Sequence, residues 1–258
     1  MITFNSLGNY GELGNQLFQI AATIGYSYQV NQDYKFPKWH CVRSGNYYND
    51  VFKNKIDDTL MNYVPPFTFN EPHLRYSKIP DYNHDVNLFG YFNCEKYFAH
   101  CKNEILEQFQ PSDIINDHIE TLDYTNSICL QLRYYDRPPI DPDNVFTDIS
   151  DNLEYIRSAI NHFGKDKTYL VTTNNFKKAK LLLPYPNFIF LESFTAIEQF
   201  FIQTKCDHNI ITNSTFGWWG AYLNKNTDKT IFAPKKWFNQ KGKWFESNDI
   251  CPKNWKVI

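Results

Sequence analysis

The stretch HNIITNSTFGWWGAYL, residues 208–223, decides the fold that the sequence predicts. Its first five residues form an apolar run that is typical of a buried strand. Asn213 and Ser214 follow, and both are favourable N-cap residues for a helix. Apolar positions then recur at the spacing of one helix face, at Phe216, Trp219, Gly220 and Leu223. A strand that feeds a helix through such a turn leaves free N–H groups at the positive end of the helix dipole. The stretch therefore predicts an anion site or, as the local pattern alone favours, only a capped helix.

The rest of the chain also alternates strands with helices. A glycine-bearing turn, GELGN at 11–15, opens a helix whose apolar face carries Leu17, Ile20, Ala21, Ile24 and Tyr28. Further strands are predicted at 87–92, 127–132, 168–173, 187–191 and 230–233, and further helices at 95–109, 151–163, 176–183 and 195–204. Residues 34–85 are irregular, and we expect loops and short elements there. The alternation predicts an α/β fold with parallel sheet.

Length and composition narrow the class of protein. A chain of 258 residues can form one large domain or two small ones. Its net charge of −2 argues against nucleic acid or an anionic membrane as a general partner. Aromatic residues make up 18% of the chain, which suits stacking on sugars or bases as well as ordinary core packing.

The cysteines and the N-terminus predict a compartment. The six cysteines show neither a CxxC pair nor zinc spacing, so we expect reduced, mostly buried thiols. Residues 1–10 lack the features of a signal peptide, and no stretch approaches the ~18 apolar residues of a membrane span. We therefore expect bacterial or viral-host cytoplasm, unless the chain is truncated, and no transmembrane segment.

Three loops follow predicted strands of the second half, at 133–136, 173–175 and 213–215. In open α/β sheets, ligands bind at the carboxyl ends of the strands. Together the loops offer a guanidinium, polar side chains and a helix N-terminus, a combination that suits a diphosphate with an attached nucleoside. Arg133 could equally be a structural arginine that pairs with Asp136.

Several motifs resemble those of the α-1,2-fucosyltransferases, glycosyltransferase family 11. They are GELGNQLFQ at 11–19, GYFNCEKYF at 90–98, NSTFGWWGAYL at 213–223, APKKWF at 233–238 and PKNW at 252–255. The resemblance implies a GT-B-like α/β fold with two Rossmann-like lobes facing across a cleft. It also implies a GDP-sugar donor, inversion at the anomeric carbon and no divalent metal. The acceptor lobe is expected at 1–120 and the donor-binding lobe at 121–258.

Two motifs depart from the family pattern. Where the family has His-x-Arg-Arg-x-Asp, this chain has QLRYYD at 131–136, so one arginine and the histidine are missing. The resemblance implies that Arg133 holds the donor phosphates, and Arg137 could replace the missing cation. Where the family tends to have Ser-Asp-Asp, this chain has Thr-Asn-Asn, which leaves Asn174 and Asn175 to read the guanine edge.

The resemblance implies transfer of fucose from GDP-fucose to a glycan hydroxyl, with an α-1,2 link. We expect Arg133 and the N–H groups around 214–216 to hold the leaving diphosphate. The base is either Glu12, which could instead only favour the helix dipole, or Asp136, which could instead only orient Arg133. The predicted catalytic residues are Arg133, Glu12 and Asp136. The predicted donor-binding residues are Asn15, Gln16, Arg133, Asn174, Asn175, Asn213, Ser214, Thr215 and Phe216.

Other signals are weaker, and two rival functions stay open. Asp141-Pro142-Asp143 has the DxD form of metal-dependent glycosyltransferases, but it lies in a proline-rich loop and we discount it. The histidines show no ligand spacing, so no metal site is predicted. The first rival is the same scaffold with another nucleotide-sugar. The second is a non-catalytic glycan-binding protein, suggested by the missing histidine and arginine.

Overall fold

The computed structural model describes residues 1–135, 145–183, 186–239 and 245–258. The chain divides into two compact units. The first comprises Met1–Asp113 and Gly242–Pro252, and the second comprises Ile114–Lys241 and Lys253–Ile258. The division falls slightly before the boundary expected at residue 120, and a late segment of the chain returns to the first unit.

The first unit is built on a parallel sheet with the order β1-β3-β2. These strands are Ile2–Thr3 (β1), Phe67–Asn70 (β2) and Val86–Phe89 (β3). Ile2 of β1 and Phe67 of β2 both pair with Val86 of β3. Strand β2 lies in the stretch for which the sequence predicted loops and short elements. Because the strands are parallel, their carboxyl ends meet at one edge of the sheet.

Helix α1, Leu13–Val30, follows the glycine-bearing turn as predicted. Four residues of its predicted apolar face are buried, namely Leu17, Ile20, Ala21 and Ile24, whereas the fifth, Tyr28, is exposed. The helix ends at Asn31, which adopts the left-handed conformation that terminates many helices. Gly25 lets a neighbouring segment approach closely, since a Cβ there would lie 2.2 Å from the carbonyl oxygen of Tyr97.

The segment 95–109, predicted as one helix, is broken in the structure, so that prediction is wrong. Glu95–Tyr97 and Ala99–Cys101 form two short 3-10 helices, and only Lys102–Gln108 (α2) is α-helical. Phe98 lies between the two turns with a φ of −140°, outside the helical region. The close approach of this segment to α1 fixes its path, and tertiary packing overrides helical propensity here.

The second unit carries a six-stranded sheet in which all pairs are parallel. Its strands are Ser127–Leu132 (β4), Thr168–Thr173 (β5), Phe188–Phe190 (β6), His208–Ile211 (β7), Ile231–Ala233 (β8) and Lys256–Val257 (β9). They lie in the order β6-β5-β4-β7-β8-β9. Numbered within the unit, this is the Rossmann order 3-2-1-4-5-6, which reverses between β4 and β7. The predicted strands of this half are confirmed.

Helix α3, Asp113–Ile119, precedes β4, and four helices connect strands of this sheet. They are Leu153–Phe163 (α4), Phe176–Leu182 (α5), Ala196–Ile202 (α6) and Thr215–Tyr222 (α7). Gly164 closes α4 with a φ of +91°, and Thr195 caps α6 in a reciprocal capping box with Glu198. Residues from the helices and the sheet share one apolar core, which includes Leu130, Ile156, Val171 and Ile210.

Two further expectations bear on the class of protein. All six cysteines are free, and five of them are buried. Within the described ranges, every helix is too short or too polar to cross a lipid bilayer. The predicted compartment itself stays a prediction.

Candidate functional site

The carboxyl ends of β4 and β7 lie side by side at the point where the strand order reverses. Gln131 of β4 pairs with Ile211 of β7, and the chain then continues to Arg133 on one strand and Thr212 on the other. The backbone N–H of Arg133 donates to Oγ1 of Thr212 at 3.0 Å. Ligands of open α/β sheets bind at such a reversal point. The first and third predicted loops are therefore neighbours, at the most favourable place in the unit.

Thr212 also connects these strand ends to helix α7. Its hydroxyl donates to Oε1 of Gln131 at 3.0 Å while it accepts from Arg133. Gln131 in turn packs against the first turn of α7 at Gly217. Only glycine leaves room for it, because a Cβ at this position would lie 2.5 Å from Oε1 of Gln131. Gln131, where the family motif has histidine, thus links β4, β7 and α7. The sequence analysis did not name Thr212, although a hydroxyl residue at the end of an apolar run was the available signal.

The first turn of α7 presents backbone donors. Ser214 is the N-cap residue, and its side chain makes no capping hydrogen bond. Among the described residues, no acceptor faces the N–H groups of Thr215, Phe216 or Gly217, while the N–H of Trp218 bonds to the carbonyl of Ser214. Free N–H groups at the positive end of a helix attract anions.

Arg133 directly follows β4, at the sheet edge where the loop before α7 also begins, and its backbone N–H bonds to Thr212 of that loop. Arg133 is half-buried, and its Cζ lies 5.5 Å from the ring centre of Tyr135. Within the described part of the chain, no carboxylate is within ion-pairing distance of Arg133. A cation next to free N–H groups can bind a diphosphate.

Several predicted residues fall outside the described ranges. Asp136, the alternative base and possible partner of Arg133, is one of them, and Arg137 is another. The discounted Asp141-Pro142-Asp143 also lies there. The predictions for these residues stay as the sequence analysis left them.

Asn213 holds the loops around the mouth of α7 together. Its Nδ2 donates to the carbonyl oxygens of Thr147 at 2.8 Å and Trp237 at 2.9 Å. Its carbonyl oxygen accepts from the hydroxyl of Tyr135 at 2.7 Å. The side chain is 2% exposed, and its Oδ1 has no hydrogen-bond partner among the described residues. Asn213 therefore holds the surrounding loops in place, while its side-chain oxygen Oδ1 accepts no hydrogen bond from the described residues.

Asn174 and Asn175 are engaged in local structure. Oδ1 of Asn174 accepts from the backbone N–H of Tyr134 at 2.8 Å, and its Nδ2 donates to the carbonyl of Tyr134 at 2.9 Å. Asn175 is the N-cap residue of α5 and accepts from the N–H of Lys178 at 3.1 Å. These bonds fix the loop after β5 against the loop after β4. The reading of a guanine base by either residue stays a prediction.

In the first unit, Glu12 lies in the turn that precedes α1. Gly11 has a φ of +76°, and the amide of Asn15 folds over it, since a Cβ at Gly11 would lie 2.3 Å from Nδ2 of Asn15. The carboxylate of Glu12 is 43% exposed and lies 4.0 Å from Nε of Arg43. It makes no capping bond to α1. Glu12 is thus an accessible carboxylate that helix capping does not require.

Gln16 is buried inside the first unit. Its Nε2 donates to the carbonyl of Gly11 at 2.9 Å, and its Oε1 accepts from Nε1 of Trp39 at 2.8 Å. The side chain is 0% exposed. It holds the glycine-bearing turn against residues around Trp39, so a contact with donor or acceptor has no support in its geometry.

Glu71 is a carboxylate that the sequence analysis missed. It follows β2 directly, at the edge where the strands of the first unit end. Oε2 accepts from the N–H groups of Tyr91 at 2.7 Å and Phe92 at 3.0 Å, while Oε1 has no partner among the described residues. Burial raises the pKa of Glu71 to about 7, and the two backbone N–H groups offset only part of this shift. The side chain fixes the turn that follows β3.

Within the described ranges, no group of three His, Cys, Asp or Glu side chains is placed to hold a metal ion. A metal-independent reaction therefore stays a prediction, and the residues brought together at β4, β7 and α7 suit an anionic ligand.

The chain is similar to known glycosyltransferases. A family model described as "Glycosyl transferase family 11" matches residues 9–258. An alpha-1,2-colitosyltransferase of Escherichia coli is 26% identical, with 96% of each chain covered. A putative galactoside 2-alpha-L-fucosyltransferase of Caenorhabditis elegans is 24% identical over 98% of this chain and 78% of that protein. An O-antigen biosynthesis glycosyltransferase of Escherichia coli is 34% identical, but the match spans only 35% of this chain and 33% of that protein.

Solved structures show the same fold at low sequence identity. The alpha-1,6-fucosyltransferase NodZ from Bradyrhizobium, soaked with GDP-fucose, matches with a TM-score of 0.57 and 13% identity over 86% of this chain and 91% of that chain. POFUT1 in complex with GDP-fucose matches with a TM-score of 0.54 and 12% identity over 93% of this chain and 98% of that chain. The predicted GT-B-like α/β fold is confirmed.

Proposed function

Because the chain belongs to glycosyltransferase family 11, and is therefore a glycosyltransferase, we propose that it transfers fucose from GDP-fucose to a glycan hydroxyl. The transfer inverts the anomeric carbon, needs no metal ion and makes an α-1,2 link. The second unit binds the donor and the first binds the acceptor.

One observation supports the proposed donor-binding site most directly. Arg133 and the free N–H groups at the start of α7 lie at the strand reversal between β4 and β7. The loss of the second family arginine leaves Arg133 to carry much of the charge, and the N–H groups of Thr215, Phe216 and Gly217 supply further donors. Fixed donors of this kind stabilise a leaving diphosphate without the cost of reorganising water.

The chemistry follows from these groups. The oxygen of the acceptor hydroxyl forms a bond to C1 of fucose as the bond from C1 to the β-phosphate oxygen breaks. GDP leaves with the bonding electrons, and its charge is held by Arg133 and the helix N–H groups. The proton of the acceptor passes to a carboxylate, for which Glu12 is the accessible candidate.

The names of the relatives support fucose or a close analogue as the sugar. A colitosyltransferase aligns with this chain from end to end, and colitose is fucose without its 3-hydroxyl. A colitose donor is therefore the second candidate. The relative named as a galactoside fucosyltransferase supports a β-galactoside as acceptor.

A nucleotide and donor panel tests the proposal. Thermal shifts are measured with GDP and UDP, and transfer to lactose is measured with GDP-fucose, GDP-colitose and a UDP-sugar, before and after EDTA treatment. We expect stabilisation by GDP, transfer with GDP-fucose and no effect of EDTA. Stabilisation by UDP alone would overturn the GDP donor, and transfer with GDP-colitose alone would replace fucose by colitose.

Substitution of Arg133 tests the site itself. Arg133→Lys keeps the charge but loses the forked geometry that suits a phosphate. The matched control is Arg157→Lys, an exposed arginine of α4 in the same unit. We expect Arg133→Lys alone to lose GDP-dependent stabilisation and most of the transfer rate, and equal behaviour of both variants would remove Arg133 from the donor site.

A further inference from the structure

Two aromatic rings are exposed at the carboxyl edge of the first unit's sheet. Tyr10 is 46% exposed and Phe89 is 37% exposed. Their ring centres lie 5.3 Å apart with an interplanar angle of 88°, so the rings meet at a right angle. The pair presents one ring face as a platform and the other ring as a wall beside it.

The position of the pair distinguishes it from other exposed aromatic residues. Phe89 is the last residue of β3, which runs parallel to β1 and β2, so it stands where all three strands end. Tyr10 directly precedes the turn of Gly11 and Glu12 that opens α1. In α/β units this edge is where ligands bind.

The backbone beneath the rings is fixed by buried polar groups. Nε2 of Gln19, a side chain with 0% exposure, lies 3.4 Å from the carbonyl oxygens of both Tyr10 and Gly90. The carboxylate of Glu71 accepts two N–H groups from the turn that follows, and a Cβ at Gly90 would lie 2.4 Å from the Cβ of Glu71. The two exposed rings therefore stand on a rigid base, which lowers the entropy cost of binding a ligand.

We infer that Tyr10 and Phe89 form the platform on which the β-galactoside acceptor of the proposed function stacks. The inference rests on the proposed function and adds the acceptor residues to it. Aromatic rings bind sugars through the C–H groups of one pyranose face. In β-galactose, the axial 4-hydroxyl points to one side and leaves a continuous C–H face at C3, C4 and C5 on the other.

The neighbouring carboxylate fits this arrangement. Glu12 is two residues from Tyr10, and it is the accessible carboxylate of the turn. A galactoside that stacks by its C–H face directs its hydroxyls along the edge of the ring. The platform thus selects the orientation of the acceptor, while the proposed base acts on its hydroxyl.

The test removes each ring but keeps apolar bulk. Tyr10→Leu and Phe89→Leu are compared with Tyr10→Phe, which keeps the ring, and with Tyr28→Leu. Tyr28 is 52% exposed, near the opposite end of α1 in the same unit, and serves as the matched control. Steady-state kinetics vary lactose and GDP-fucose separately, and saturation-transfer NMR measures lactose binding without turnover.

We expect each ring removal to raise the KM for lactose roughly three- to tenfold, as the usual strength of aromatic contacts implies. The KM for GDP-fucose and the melting temperature should stay unchanged, and Tyr28→Leu should match the wild type. Tyr10→Phe, which keeps the ring, should raise the KM for lactose less than Tyr10→Leu does. Saturation transfer should be strongest at galactose H3, H4 and H5 and weaker in the Leu variants.

Failure of the platform is distinguishable from failure of the donor site. An unchanged KM for lactose in both ring-removal variants would overturn the platform, while GDP-dependent stabilisation would still support the donor site. A wild-type protein that hydrolyses GDP-fucose but neither binds nor fucosylates lactose or N-acetyllactosamine would overturn the galactoside as occupant. Equal KM increases in Tyr28→Leu and Tyr10→Leu would show a general effect of surface substitution and would also contradict the inference.

Discussion

The backbone of Arg133 is anchored by the side chain of Thr212, whose Oγ1 accepts its N–H at 3.0 Å. The bond joins the ends of β4 and β7 at the strand reversal. Thr212 also donates to Gln131, so one hydroxyl positions the proposed phosphate-binding arginine and the residue that packs on α7. The guanidinium therefore depends for its position on a neighbouring strand.

Replacement of Thr212 by valine should weaken both stability and donor binding. Valine keeps the shape but leaves the N–H of Arg133 without its acceptor, which costs about 1–3 kcal/mol for a buried group. Urea unfolding measures the stability, and calorimetric titration with GDP measures the affinity. Thr212→Ser keeps the hydroxyl and should behave like the wild type. A Thr212→Val protein with unaltered GDP affinity would contradict a positioning role.

Gly217→Ala should disturb the same network from the side of α7. The new Cβ would lie 2.5 Å from Oε1 of Gln131, so this side chain must move away from Thr212. We expect a loss of about 1–3 kcal/mol in the free energy of unfolding, typical of overpacking. The double variant with Gln131→Ala provides space for the methyl group, and its loss should be smaller than the sum of the two single losses. If the loss in the double variant equalled the sum of the two single losses, the contact between Gly217 and Gln131 would not contribute to stability.

Glu12→Gln tests the proposed base. A neutral amide cannot take the acceptor proton, so kcat should fall on the order of 10²–10⁴-fold. The KM for GDP-fucose should not change. Glu104→Gln is the matched control, since Glu104 is an exposed acid in the first turn of α2 in the same unit. If Glu12 only favoured the helix dipole, both variants would lose a little stability and neither would lose activity.

Glu71 should make the stability of the protein depend on pH. Its pKa is about 7 in the folded protein against a usual value of 4.5, because burial disfavours the charged form. Because the buried site tolerates the protonated carboxyl better than the carboxylate, the folded protein is most stable, with respect to this group, below pH 4.5. This stability is lost as the pH rises through 7. The difference amounts to about 3 kcal/mol.

Urea unfolding of the wild type and Glu71→Gln between pH 5 and 8 measures this effect. The glutamine oxygen can still accept the N–H groups of Tyr91 and Phe92, so the variant should be the more stable protein above pH 7. The difference between the two proteins should shrink toward pH 5. A constant difference across this range would show that Glu71 does not titrate there.

The sequence predicted most of the second unit because its strands are continuous apolar runs with clear turns between them. Ser127–Leu132 and Thr168–Thr173 match their predicted bounds. The first unit was harder to predict. The helix expected at 95–109 breaks because the backbone at Tyr97 packs on Gly25, a contact between residues far apart in the chain. Periodicity within a short window carries no information about such contacts.

The candidate site residues were likewise easier to predict in the second unit than in the first. Arg133 and the start of α7 were predicted as neighbours because they follow strands of one parallel sheet, and the structure brings their loops together. For Gln16 the sequence left open a contact with donor or acceptor or only a place at the start of a helix, and the structure adds a hydrogen bond to Trp39, which comes from the irregular stretch. The partner of a buried amide cannot be predicted when it lies in a segment without a readable pattern.

The last stretch of the chain is shared by the two units, since 242–252 belongs to the first and β9 forms the edge of the sheet in the second. During synthesis, therefore, neither unit is complete until residues after 241 have been made. The N-terminal half must wait, with part of its surface uncovered, until the other half has been made. Shortening of the chain before residue 242 would harm both units at once.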